Sequence, residues 1–131
     1  MNNEMIKLIA LTDHKTLVAW ALDCAEHVLP YFEDVNKDDK RPRLAIEAGR
    51  LWLREEVTVG YVRKAAFAAH AAARDTDNIN ARLAARSAGQ AAATVHVKTH
   101  AIHAANYAFK IRETELIWQY NHLLELTKTT M

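Results

Sequence analysis

The chain has 131 residues, half of them hydrophobic, with 17 lysines and arginines against 16 aspartates and glutamates, a net charge of +1. That length suits one domain with one core, and the near-neutral balance gives no global attraction to nucleic acid or to a membrane surface. A single cysteine excludes an intrachain disulfide and any CxxC metal or redox motif, and three glycines with two prolines leave little material for the turns of a sheet.

The start, Met-Asn-Asn-Glu-Met-Ile-Lys, has an early acid and only a short apolar stretch from Leu8 to Leu11, a poor secretory signal. No run approaches ~18 apolar residues, so no membrane span is expected and a reducing, cytoplasmic setting is the default. Residues 1–12 are expected to be loosely ordered. Thr12 or Asp13 can cap a first helix, in which Leu17, Ala21, Cys24, Val28 and Tyr31 recur at helical spacing. Its neighbours Leu22, Ala25 and Val28 make Cys24 a buried structural thiol rather than a nucleophile. Pro30 should kink or stop that helix, and Glu33 to Lys40 reads as a polar loop.

Pro42 suits the first turn of a second helix, with Leu44, Ala45, Ala48, Leu51 and Trp52 as its stripe. Thr58 can cap a third, whose apolar side carries Val59, Val62, Ala66, Ala69 and Ala73, with His70 on the same side. Asp75 to Asn80 is rich in cap and turn formers. A fourth helix follows through Arg82, Ala85, Ala88, Ala92, Val95 and His96. Gly89 inside it costs about 1 kcal/mol against alanine, which marks close approach of another helix. A break near Lys98 and Thr99 leads to a fifth helix over Ala101 to Phe109. A sixth carries Leu116, Ile117, Tyr120, Leu123 and Leu124 in one stripe. Residues 127–131 should fray. The expectation is a single all-α domain over 1–131, five to six helices in an irregular, orthogonal bundle.

Charge is unevenly spread. Residues 1–39 carry eight acids and three bases, a net of −5; residues 40–112 carry thirteen bases and five acids, a net of +8. This fits either internal complementarity or a basic face for an acidic partner. Between Ala65 and Ala93, fourteen of 29 residues are alanine, so helices there can approach closely. Histidines interrupt this region and need partners.

His96, His100 and His103 form an H-x3-H-x2-H run, which on a continuous helix can hold a metal. Val97 stands where the zinc-protease motif has glutamate, and no acid lies between Asn78 and Arg112. A site would need Asp23, Glu26 or Glu47 from elsewhere, so His96 and His100 are weak metal candidates and no cofactor is expected. His70 and His96 can face one interior pocket, with Gln90 a candidate hydrogen-bond partner. The bland reading is two neutral imidazoles; the sharper one adds Asp23 or Glu47 and makes an acid–base pair. No nucleophile is evident: Ser87 is the only serine and has no nucleophile-elbow pattern. Lys40, Arg41 and Arg43 flank Pro42 in a short basic cluster that suits phosphate or an acidic protein, or else solvation and salt bridges to Asp38, Asp39 or Glu47. Trp118 lies off its helix's apolar stripe, at the surface or at a partner contact.

Several segments together resemble the Imm-5-like family of proposed bacterial immunity proteins. They are Arg41-Pro42-Arg43 with Ile46-Glu47-Ala48 and Trp52, then Ala65-Ala66 to His70 and Arg74. Ala84 through Val97 follows, including Gly89-Gln90-Ala91-Ala92-Ala93 and His96, with Thr99-His100-Ala101 and Trp118-Gln119. The resemblance implies a small all-helical protein that neutralises a partner toxin in bacterial competition, with no catalytic residues. His70, Arg74, Gly89, Gln90, His96 and His100 carry over as pattern residues without an assigned role. The leading expectation is a binding protein acting on a toxin by stoichiometric occlusion, through contacts such as Arg41, Arg43, Arg74 and Trp118. A histidine-based or metal-dependent enzyme and a homo-oligomeric module are the alternatives.

Overall fold

Four polar side chains set where helices begin. Asn2, Asp13, Thr58 and Asn78 each accept a hydrogen bond from the backbone N–H three residues on, satisfying one of the amides that a helix start leaves open. The computed structural model describes residues 1–130, and side chains for residues 1–128. Within them lie α1 (Asn3–Leu11), α2 (His14–Val28), the single turn α3 (Pro30–Glu33), α4 (Arg41–Leu53), α5 (Val59–Arg74), α6 (Ile79–Ala93), α7 (His100–Ile111) and α8 (Glu115–Thr130). No strand occurs among the described residues.

The all-helical class stands, but the five to six expected helices are seven, plus the single turn after Pro30. The additional long helix is α1, over residues expected to be loose: Asn2 caps it and Met5 and Ile9 join the core. At the other end, residues 127–130 continue α8, and Met131 lies outside the described residues.

Helices α2 and α6 are the central elements. α6 packs against α2, α3, α4, α5 and α7, and α2 against α4, α6, α7 and α8. A helix with so many neighbours needs small side chains on most of its surface, and α6 supplies them: Ala81, Ala84, Ala85, Ala88, Ala91 and Ala92 are all buried. The bulky core comes from α2 and the α3 turn, where Leu17, Trp20, Leu22, Leu29 and Phe32 are fully buried. Polar groups stitch the layers. Ser87 Oγ donates to the Ala104 carbonyl at 2.8 Å, Trp20 Nε1 to the Gln119 carbonyl at 2.9 Å, and Gln119 Nε2 to the Ala105 carbonyl at 2.9 Å.

Two stripes differ from their sequence reading. On α4 the buried face is Pro42, Ala45, Ile46, Ala48 and Gly49, and Leu44 is exposed. On α8, Glu115, Gln119 and Leu123 point inward at i, i+4 and i+8, and Ile117 points to solvent. The Gln119 hydrogen bonds and an ion pair of Glu115 fix that rotation.

Candidate functional site

The arginines of α4 are consumed within the fold. Arg41 forks onto Asp39 (2.9 and 2.7 Å) and reaches Asp75 at 2.9 Å. Arg43 forks onto Glu33 (3.1 and 2.7 Å), and Arg50 bonds Asp23 at 2.9 Å and Glu26 at 3.1 Å. Bidentate guanidinium–carboxylate geometry is the strong form of this contact. It holds the carboxyls of Glu33 and Asp39 below their ordinary range, the arginine hydrogen bond being the main cause in each. Of the two arginines expected as partner contacts, Arg43 ties α4 to α3, as Arg50 ties it to α2, whereas Arg41 ties the start of α4 to Asp39 in the preceding loop and to Asp75 past the end of α5. Part of the charge asymmetry is spent on internal complementarity, Asp23, Glu26, Glu33 and Asp39 being taken up by Arg41, Arg43 and Arg50.

The outward face of α5 is different. Arg63, Lys64 and Arg74 are exposed, and none takes part in an ion pair among the described residues. Arg63 lies over the Phe67 ring at 6.0 Å. Phe67 is 64% exposed, Tyr61 54% and Leu44 53%, so this face sets exposed apolar side chains beside basic ones that form no ion pair among the described residues. A groove of about 350 Å³ between α4 and α5 runs past Leu44, Tyr61, Lys64 and Ala68.

Beside that face lies the histidine recess. Arg63, Ala66, Phe67 and His70 from α5, Gln90 and Ala93 from α6, and His96 and His100 beyond it line a cavity of about 190 Å³. It opens next to a broader one of about 580 Å³ that shares Gln90 and His100 and adds His103, Asn106, Tyr107 and Lys110. Arg86 donates to His70 Nδ1 at 3.0 Å. A guanidinium has no acceptor, so that nitrogen must be unprotonated and Nε2 carries the hydrogen. Burial, reinforced by the charges of Arg86 and Arg74, lowers the His70 pKa to about 4, so the ring is neutral at physiological pH. His100 Nδ1 donates to Gln90 Oε1 at 2.7 Å, and burial, with His103 and His96 nearby, lowers its pKa as well.

His70, His96, His100 and Gln90 thus share one cavity. His96 enters it from an exposed position past the end of α6, not from a helix face, because α6 stops at Ala93. Asp23 and Glu47 do not join them: Asp23 is bonded to Arg50 and to His122, and Glu47 is exposed on α4. The acid–base convergence expected of the enzyme reading is not assembled. Among the described residues no group of three or more His, Cys, Asp or Glu side chains is placed to hold a metal ion. The break between α6 and α7 keeps the H-x3-H-x2-H run off a single helix face. Cys24 is fully buried, and burial pushes its thiol well above the ordinary range.

A second polar cluster joins α8 to α2. Trp118 is stacked between His27 (centroids 4.0 Å apart, 14° between planes) and His122 (4.8 Å, 16°). His27 Nδ1 meets the buried Glu115 carboxylate at 2.5 Å, and His122 Nε2 meets Asp23 at 2.7 Å. Trp118, His27, His122 and Asp23, with Glu26 and Pro30, line a cleft of about 440 Å³. Sequence reasoning singled out Trp118 but neither histidine. The i, i+4 spacing of Trp118 and His122 is the one local signal of the stack.

The chain belongs to the Imm-5-like family: the family model described as "Imm-5 like putative immunity protein" matches residues 7–125. No curated protein and no solved structure matches the chain.

Proposed function

We propose that this member of the Imm-5-like family is a non-catalytic immunity protein that neutralises a partner toxin by one-to-one binding in the bacterial cytoplasm. The α5 face would carry the contact. One observation supports this reading above the others: arginines on α4 are matched with carboxylates, whereas Arg63, Lys64 and Arg74 on α5 are exposed beside Phe67 and Tyr61 without any. Arginine with tyrosine or phenylalanine is the composition of contact hot spots, and an uncompensated basic surface both steers and selects an acidic partner.

The test is co-expression with a candidate partner toxin. Protection should scale with the amount of this chain, and light scattering should give a complex of one copy of each. Protection by far fewer copies than toxin molecules would replace binding with catalysis. A self-associated chain that leaves the toxin unbound would favour the homo-oligomeric module.

A further inference from the structure

We propose that the recess between α5, α6 and α7 is an anion site that receives a carboxylate side chain from an acidic segment of the partner. This inference rests on the immunity reading for the identity of the partner, and on the recess itself for the chemistry.

The recess gathers donors and offers no anionic acceptor. Arg86 occupies His70 Nδ1, so Nε2–H is the ring's remaining polar group, and it has no acceptor among the described residues. Gln90 gives its carbonyl oxygen to His100 Nδ1, which leaves its amide N–H2 without an acceptor there too. Arg63, free of any ion pair, and the exposed His96 complete the lining. No aspartate or glutamate lines the cavity, and none occurs anywhere from residue 78 to residue 112.

The recess is open, so these donors are not sealed from water, and a carboxylate can satisfy several of them at once. The volume, about 190 Å³, equals a handful of waters at about 30 Å³ each, which suits the end of one side chain rather than a large ligand. Phe67 at the rim supplies apolar surface for the residue next to that acid. Arg63 in the lining and Arg86 on the His70 ring are the positive charges at the recess, and an incoming carboxylate would be drawn to them.

The probe is an acetylated Glu-Phe-Glu-Glu peptide amide. Its Gln-Phe-Gln-Gln counterpart and inorganic phosphate serve as comparisons, all titrated into the full chain while the imidazole 15N signals are followed. The Glu peptide should shift the His70 and His100 signals, and the Gln peptide should not. Arg63→Ala, at an exposed position that tolerates truncation, and Gln90→Leu should each weaken that response about tenfold. Equal responses to both peptides, no response to either, or an unchanged response in both variants would overturn the site. Phosphate binding more tightly than the Glu peptide would overturn the commitment to a protein carboxylate. The toxin assay separates the two readings. Gln90→Leu and Arg63→Ala chains that protect as fully as wild type sink this inference and leave the immunity reading standing. Peptide binding by a chain that never protects against the toxin does the reverse.

Discussion

The His70 imidazole lies flat against Gly89, so close that a Cβ on the glycine would stand 2.6 Å from Nε2 and 2.7 Å from Cε1. One missing methyl on α6 thus makes room for the ring that α5 turns inward, and Arg86 holds the ring by its other nitrogen. Alanine at position 89 would gain about 1 kcal/mol in helix propensity. It would also push a ring that is not free to swing away. The expected outcome for Gly89→Ala is a net loss of about 1–2 kcal/mol in urea unfolding. The His70 imidazole signal should move with it, as the ring leaves its site. A midpoint at or above wild type, with His70 unmoved, would show that the contact is slack.

The same ring sets a pH dependence. His70 is held near pKa 4 when folded and returns to about 6.5 when unfolded. Below about 6.5 the unfolded chain therefore takes up a proton that the folded chain refuses, and stability falls as pH drops. The loss is complete once pH has passed below about 4, where both states are protonated. After discounting for its partial exposure, the loss is on the order of 2 kcal/mol. His70→Asn removes this contribution, so its stability should vary less than wild type's between pH 6.5 and pH 4. Parallel pH profiles for the two proteins would place the acid sensitivity in other groups.

His70 was legible because α5 keeps a regular helical phase from its Thr58 cap onward, so counting from Val59 puts position 70 on the apolar side. The same arithmetic misplaced His96: it needs α6 to continue, and α6 ends at Ala93 in a turn whose Thr94 carbonyl takes a hydrogen bond from His14 Nε2. That partner, 80 residues away, is invisible to local periodicity. On α8 the leucine-rich stripe lost to Glu115 and Gln119, whose partners lie on α2 and α7. Hydrophobic counting cannot foresee such a rotation, because it ranks a carboxylate outside by default. The short α1 escaped notice for a similar reason, its apolar pair Met5 and Ile9 being only two turns' worth of pattern.

The stack on α8 is a structural joint, and its removal should show that. Trp118→Ala strips both histidines of their ring contact and should cost about 2 kcal/mol, less than a fully buried tryptophan because Trp118 is half-buried. His27→Ala leaves the buried Glu115 carboxylate without its partner, at a cost of about 2 kcal/mol. The two losses should fall short of adding in the double variant, because both act on one docked element. Chemical denaturation of the four proteins measures this coupling. Additive losses, or a Trp118→Ala chain as stable as wild type that no longer blocks the toxin, would move Trp118 from the joint to the contact surface.

Charge reversal on α4 and on α5 should have opposite signatures. Arg43→Glu breaks the fork onto Glu33 and sets carboxylates against each other, so stability falls by about 1–3 kcal/mol. Arg63→Glu and Lys64→Glu break no ion pair, and each should change stability by less than about 0.5 kcal/mol. Their effect should appear in association with the toxin: slower binding at low salt, with the difference from wild type shrinking as salt screens it. Stopped-flow association at two ionic strengths, beside urea unfolding of the same proteins, separates the cases. If α5 reversals leave the association rate untouched while Arg43→Glu slows it in a folded chain, the contact lies on α4 and the ion pairs there open on binding.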